Sequence, residues 1–291
     1  MISYDPKNWL LLIFAWNKSD TIRMLWKEIV YIAILSSLIA FVKISFYPKA
    51  EALNSLISVY SLLGFVISLL LVFRTNTAYD RWWEGRKIWG QFLNDSRNLS
   101  VKLASYDLTN EEKEFCARMI PNFALASKEH LRQGCDISIL QLTEIELQEV
   151  VRKSHVPVFI VQLLARKIEL IKRDGRISPE EFLCVDRILN SFIDGIGACE
   201  RIKSTPIPFS YSMFIKKFIF LYVISLPLAF VNIFGYWSAF ISTFVFYALV
   251  SMEILAEEIE DPFGQDENDL ATDSIAEKIT ENCSEILKKS K

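Results

Sequence analysis

Histidine is scarce in this sequence. Only His130 and His155 occur, and the five cysteines stand far apart with no CxxC pair. A zinc site of the familiar cysteine and histidine spacing is therefore not expected. Glycine is held to nine of 291 residues while 52% are hydrophobic and 13% aromatic, which excludes collagen-like and disordered classes. An excess of positive charge is also missing: a formal net charge of −3 leaves no basic footprint for nucleic acid. No glycine-rich phosphate loop, internal repeat or alternating strand pattern is present, and no nucleophile–base pair marks an enzyme. Cys116, Cys135, Cys184, Cys199 and Cys283 are expected to be reduced packing residues on the cytosolic side. The first twenty residues lack the basic lead and small-residue cleavage site of a secretory signal. Within them, residues 9–16 are apolar with a tryptophan at each end, and read either as a short interfacial segment or as a buried soluble helix.

What the chain does have is long stretches without charge. Residues 29–42 are uncharged and extend through their flanks to 25–46, with Lys27, Glu28 and Lys43 at the edges, where such side chains snorkel. Residues 52–73 carry no charge over twenty-two positions, about 33 Å of helix. Residues 218–252 are uncharged for thirty-five positions and break naturally at 232–235, giving two rather short helices. Four membrane helices are expected. Lysine and arginine set the topology. Lys7, Lys18, Arg23 and Lys27 precede the first span, Arg74, Arg81, Arg86 and Lys87 follow the second, and Arg201, Lys203, Lys216 and Lys217 precede the third. The first outer loop holds only Lys43 and Lys49, so both termini and the large middle segment are expected in the cytosol.

That middle segment reads as helix. Capping boxes stand at Thr109–Glu112, Thr143–Glu146 and Ser178–Glu181, with Asp174-Gly175 as a turn and Pro179 at a first helical position. The fold class is therefore all-α: a four-transmembrane-helix membrane protein with a large helical cytosolic region, which would be assembled around an axial pore only if several copies surround one axis. Its segments are an interfacial piece at 1–24, two membrane helices and a cytosolic elbow at 25–90, the cytosolic helices at 91–215, two further spans at 216–252, and an acidic segment with a terminal helix at 253–291. In that last helix Ile275, Ile279, Cys283 and Leu287 share a face, which either packs on a neighbouring subunit or frays.

On the second span Phe65, Leu69 and Phe73 recur every four residues and stack on one helix face, which Asn54, Ser58 and Ser61 continue toward the outer end. A wet mouth above an apolar constriction would gate ions by dewetting, provided several copies surround an axis; ordinary core packing is the alternative. The stretch that follows, FRTNTAYDRWWEGRKIWG at 73–90, places Arg74, Thr77 and Arg81 on one side. Asp80 and Glu84 form an acidic i,i+4 pair, and Trp82 and Trp83 sit where the helix leaves the lipid. This elbow reads as interface and intersubunit wiring.

The same stretch, with ACERIKSTPIPFSY at 198–211 and IEDPFGQDENDL at 259–270, resembles the bestrophin family, and its bacterial branch in particular. The resemblance covers nearly the whole chain. It implies a homopentamer in membrane lipid of the bacterial inner membrane, with one axial pore for small monovalent ions. It places the family's neck on Phe65, Leu69 and Phe73, where Leu69 keeps the apolarity of an animal isoleucine or phenylalanine but changes its shape. Counted back from Cys199, the cytosolic aperture falls on Leu183. The animal calcium clasp, an N-P-F-G motif with an acidic run, maps onto Glu258, Asp261, Asp266 and Asp269. Here Asp261 replaces the asparagine, and Gln265 and Asn268 dilute the run. The eight carboxylates between Glu253 and Asp269 are thus either a calcium site or a solvated acidic belt pairing with basic helices. No cofactor is required. The expected ion is an anion, chloride first. The helix N-terminus beneath Leu183 favours an anion, whereas Glu180 and Glu181 beside it favour a cation. A monovalent-cation channel of the same architecture and a non-conducting scaffold are the alternatives.

Overall fold

The computed structural model describes residues 21–47, 56–132, 134 and 136–287. The interfacial piece 9–16, the basic residues Lys7, Lys18 and Lys49, and Asn54 and Cys135 lie outside the described residues. Among those described the chain is all helix and turn. Its α-helices are α1 (Thr21–Phe46), α2 (Leu56–Ser105), α3 (Asn110–Leu131), α4 (Glu144–Val150), α5 (Val156–Arg173), α6 (Pro179–Ser204), α7 (Phe209–Phe234), α8 (Trp237–Glu260) and α9 (Thr272–Leu287). Four of them, α1, α2, α7 and α8, are long and apolar enough to cross a membrane. The chain forms two compact units, one built from residues up to Arg81 with Pro206–Glu260, the other from Trp82–Thr205 with Asp261–Lys291. Helix α2 supplies residues to both.

In the first unit, α1 packs on α7 and α8, and α7 on α8. Ile67 and Leu71 of α2 are buried with Ile32, Ile215, Ile219, Val223 and Phe246, while Tyr60 packs with Leu226 and Ala229. The last two helices run to 26 and 24 residues, longer than the sequence suggests, as both continue through charged residues beyond the uncharged run, among them Lys216 and Glu257, which meet at 2.8 Å. Their break is also sharper. Asn232 stays helical, and the chain turns at Gly235, whose φ of 54° suits a residue without Cβ. Lys43 is buried and donates to Asn232 Oδ1 at 3.2 Å and to the Tyr47 carbonyl at 2.7 Å.

In the second unit every anticipated capping box forms, with Thr109, Thr143 and Ser178 each accepting from the N3 amide and each N3 glutamate reaching back. Each box satisfies amide groups that the helix start leaves without partners. The core joins Trp89, Phe92, Phe123 and Phe192, with ring centroids 4.6–6.3 Å apart. Helix α9 packs on α3 of its own chain, burying Ala276, Ile279, Cys283 and Leu287, with Ile275 only partly covered. Cys116, Cys199 and Cys283 are buried free thiols, but Cys184 is exposed and so is not a packing residue.

Candidate functional site

Phe65, Leu69 and Phe73 all lie on the uncovered side of α2, with 66%, 42% and 55% of their surfaces exposed. The opposite side carries Tyr60, Ile67, Leu71, Arg74 and Ala78, all buried. Helical periodicity alone separates the two sets. The uncovered side is not uniformly apolar: of the twelve exposed residues from Ser58 to Thr77, five are Ser58, Ser61, Ser68, Asn76 and Thr77. By contrast the exposed residues of α1 from Val30 to Val42 include one polar side chain, Ser37. Lipid tails offer no hydrogen bonds, so a polar-rich face belongs against water or protein and an apolar one against lipid. Ser68 and Thr77 bond back to the carbonyls of Gly64 and Phe73, each at 2.9 Å.

At the elbow the structure divides the basic side expected from sequence. Arg74 is buried and its Nη2 lies 2.6 Å from Glu260 Oε2, and Arg81 Nε donates to the Glu260 carbonyl at 3.1 Å. Glu260 Oε1 also accepts the Ile207 amide at 2.5 Å. Thr77 points elsewhere and is exposed, as are Asp80 and Trp83. Glu84 pairs with Arg201 at 2.6 Å, and Trp82 Nε1 donates to the Asn268 carbonyl at 3.1 Å. Much of the elbow is therefore wired within the chain, to the acidic segment and to α6. Near Arg74 the membrane-facing unit also buries the Glu253 carboxylate, with Lys216 Nζ at 3.8 Å.

The acidic segment is a folded loop. Asp269 is buried and its Oδ2 accepts the Asp266 amide at 2.6 Å. Burial, reinforced by the charges of Asp266 and Asp261 and opposed by that amide, pushes its carboxyl up to about 6. Gly264 makes this possible, since a Cβ there would stand 2.7 Å from Asp269 Oδ2. Asp261 and Asp266 are exposed, and Asp261 Oδ1 accepts the Phe263 amide at 3.4 Å. Glu258 lies in the last turns of α8. Among the described residues, Asp261, Asp266 and Asp269 do not bring their ligand atoms within 4.8 Å of one another. Calcium takes six to eight oxygens; of the carboxylate oxygens here, Asp269 Oδ1 is buried without a partner.

Leu183 stands in the first turns of α6 with 66% of its surface exposed. It borders an open groove shared by Gln91, Asp95, Asp186, Arg187, Asn190 and Asp194. Ser191 bridges α2 and α6 there, donating to Asp95 at 2.7 Å and accepting from Gln91 at 2.7 Å. Of the two glutamates beside Leu183, Glu181 is committed to its helix cap through the Ser178 amide at 2.8 Å. One constellation went unread in the sequence. His130, His155 and Glu200 bring their ligand atoms within 4.8 Å of one another, the one such three-residue group among the described residues. Separations of 25 and 45 residues hid it.

Comparison with known proteins places this arrangement. The family described as Bacterial/Fungal Bestrophin protein matches residues 1–285. A voltage-dependent anion channel-forming protein of Nostoc sp. is 30% identical over 288 residues, spanning 96% of this chain and 92% of its own. The voltage-dependent anion channel-forming protein YneE of Escherichia coli O157:H7 is 32% identical over 283 residues, spanning 96% of this chain and 91% of its own. Among solved structures, a mutant of a bacterial bestrophin homologue from Klebsiella pneumoniae superposes with a TM-score of 0.82 at 28% identity, covering 89% of this chain and 97% of that one.

Proposed function

Because the chain belongs to the bacterial and fungal bestrophin family, we propose that this integral membrane protein is an ion channel and not an enzyme, conducting small monovalent anions, chloride first. Five copies surround an axis in the bacterial inner membrane, with both termini in the cytosol. Phe65, Leu69 and Phe73 of each copy line the neck, which spans about 12 Å from first ring to last at 1.5 Å per residue. The observation that carries this reading is the polar-rich, uncovered side of α2: phenylalanine and leucine set among serine, asparagine and threonine fit a wetted axis and not lipid. Apolar rings of this kind hold back ions by excluding water when narrow. Leu183 forms a second constriction in the same reading. The relatives named as anion channels support the sign of the ion.

A cation channel is the second reading, favoured by one observation. The groove beside Leu183 holds Asp95, Asp186 and Asp194 against the single Arg187. A reversal potential in planar bilayers across a KCl gradient separates the two. Reversal near the chloride potential is expected; reversal near the potassium potential assigns the channel to cations. Phe65, Leu69 and Phe73 changed together to Ala should raise the current. Well-inserted protein that passes no current in either form would leave a non-conducting scaffold.

A further inference from the structure

We propose that His130, His155 and Glu200 form a binding site for a divalent transition metal ion of the zinc class. His130 lies in the last turn of α3, His155 caps the start of α5, and Glu200 sits on α6. Both imidazole Nε2 atoms point at the same carboxylate oxygen, His130 at 2.6 Å and His155 at 2.8 Å from Glu200 Oε1. The two rings stack with centroids 4.6 Å apart, tilted by 31°. Each side chain is between 29% and 37% exposed, so water reaches the point where they converge.

The plain alternative is a hydrogen-bonded trio that only ties three helices together. Two features favour the metal. Two imidazoles and one carboxylate with an open fourth position are the donor set of many zinc centres, with metal–ligand bonds of about 2.0–2.2 Å. Tetrahedral ligands at that length stand roughly 3.4 Å apart, so Glu200 need retreat by less than about 1 Å to admit the ion. The Glu200 side chain is partly exposed and not locked in the core. Secondly, the rings present their edges and not their faces to the shared point, which is how imidazole ligates. Nitrogen donors discriminate against calcium and magnesium, which take oxygen.

His155 adds a chemical consequence. Its Nδ1 accepts the Val158 amide at 3.3 Å, which keeps the ring proton on Nε2. A metal on Nε2 moves that proton to Nδ1 and gives up this long capping bond. Metal capture therefore loosens the first turn of α5 while joining its start to α3 and α6. The inference does not rest on conduction.

The test is calorimetric titration of Zn²⁺ into the full chain, purified in detergent and stripped with EDTA, with Co²⁺ absorption as a second readout. One saturable ion per chain is expected, unaffected by millimolar Ca²⁺ or Mg²⁺, together with visible Co²⁺ bands of a four-coordinate nitrogen–oxygen site. His130→Asn, His155→Asn and Glu200→Gln should each weaken Zn²⁺ binding at least about 100-fold. His155→Asn is the cleanest variant, since asparagine still caps a helix and so separates loss of metal from loss of fold. Cys184→Ser, which removes the exposed thiol, should leave binding unchanged. The proposal is overturned if no saturable binding occurs, if His155→Asn binds as wild type does, or if Cys184→Ser abolishes binding.

Discussion

Glu112 offers a perturbation whose size follows from geometry. Its carboxylate receives Arg176 in a two-pronged grip, Nη1 to Oε2 at 2.6 Å and Nη2 to Oε1 at 2.8 Å, with Lys167 at 3.8 Å. Oε2 also takes the Thr109 amide at 2.9 Å in the capping box. The Arg176 hydrogen bonds, with those from Thr109, hold the carboxyl down from 4.5 to about 2, against the cost of burial. That difference corresponds to about 3 kcal/mol at 1.36 kcal/mol per pH unit, and only 9% of the side chain is exposed to screen it. Glu112→Gln preserves the capping box, which accepts glutamine, but deletes the charge. We expect a loss of about 2–3 kcal/mol at pH 7, since Arg176 retains Asp174 at 3.1 Å. Thermal unfolding of the detergent-solubilised protein should fall by about 4–12 °C, at about 2–4 °C per kcal/mol for a domain of this size. The pH dependence gives the sharper check. A depressed carboxylate stabilises the fold above the unfolded value and is lost as pH falls toward the folded one, so the two melting curves should converge between pH 4.5 and 2. Equal melting at pH 7, or a constant offset down to pH 2, would refute the reasoning. Arg176 precedes α6 by only the turn to Pro179, so the same contact fixes the helix start that carries Leu183.

Asp269 has the opposite sign. Its carboxyl is raised from 3.8 to about 6, so the fold is favoured below pH 3.8 and loses stability as pH rises through 6. Asp269→Asn should therefore stabilise the protein above pH 6 by up to about 3 kcal/mol and change little below pH 4, as read from melting curves; a large rise in melting temperature with CaCl₂ that this variant abolishes would instead support the calcium clasp. Gly195→Ala drives a Cβ into the Phe92 ring, inside the aromatic core, and should cost about 1–3 kcal/mol of stability in chemical unfolding. Glu260→Gln leaves the Arg74 charge buried and should cost about 3–5 kcal/mol. Adding Arg74→Met should recover part of that loss, measured as protein surviving heat and gel filtration; no recovery would mean that Arg74 has another partner of equal weight.

The chain's own chemistry determined a good deal. Spans are legible because lipid demands about twenty apolar residues in succession, and the caps at Thr109, Thr143 and Ser178 because each needs only a residue and its third neighbour. The uncovered set Phe65, Leu69 and Phe73 follows from the period of one helix. Tertiary structure alone decided what depends on distant partners. Lys43 looks like an edge residue until Asn232 of another helix stands beside it. Arg74 and Arg81 look like two cations on one side of a helix until Glu260 arrives 186 and 179 residues along the chain. The acidic run looks evenly solvated until Gly264 lets Asp269 turn inward. His130, His155 and Glu200 carry no shared spacing at all, and only the packing of α5 against α3 and α6 brings them together. Periodicity and capping act within a few residues and are written locally, whereas burial of charge and convergence of ligands are properties of the folded packing.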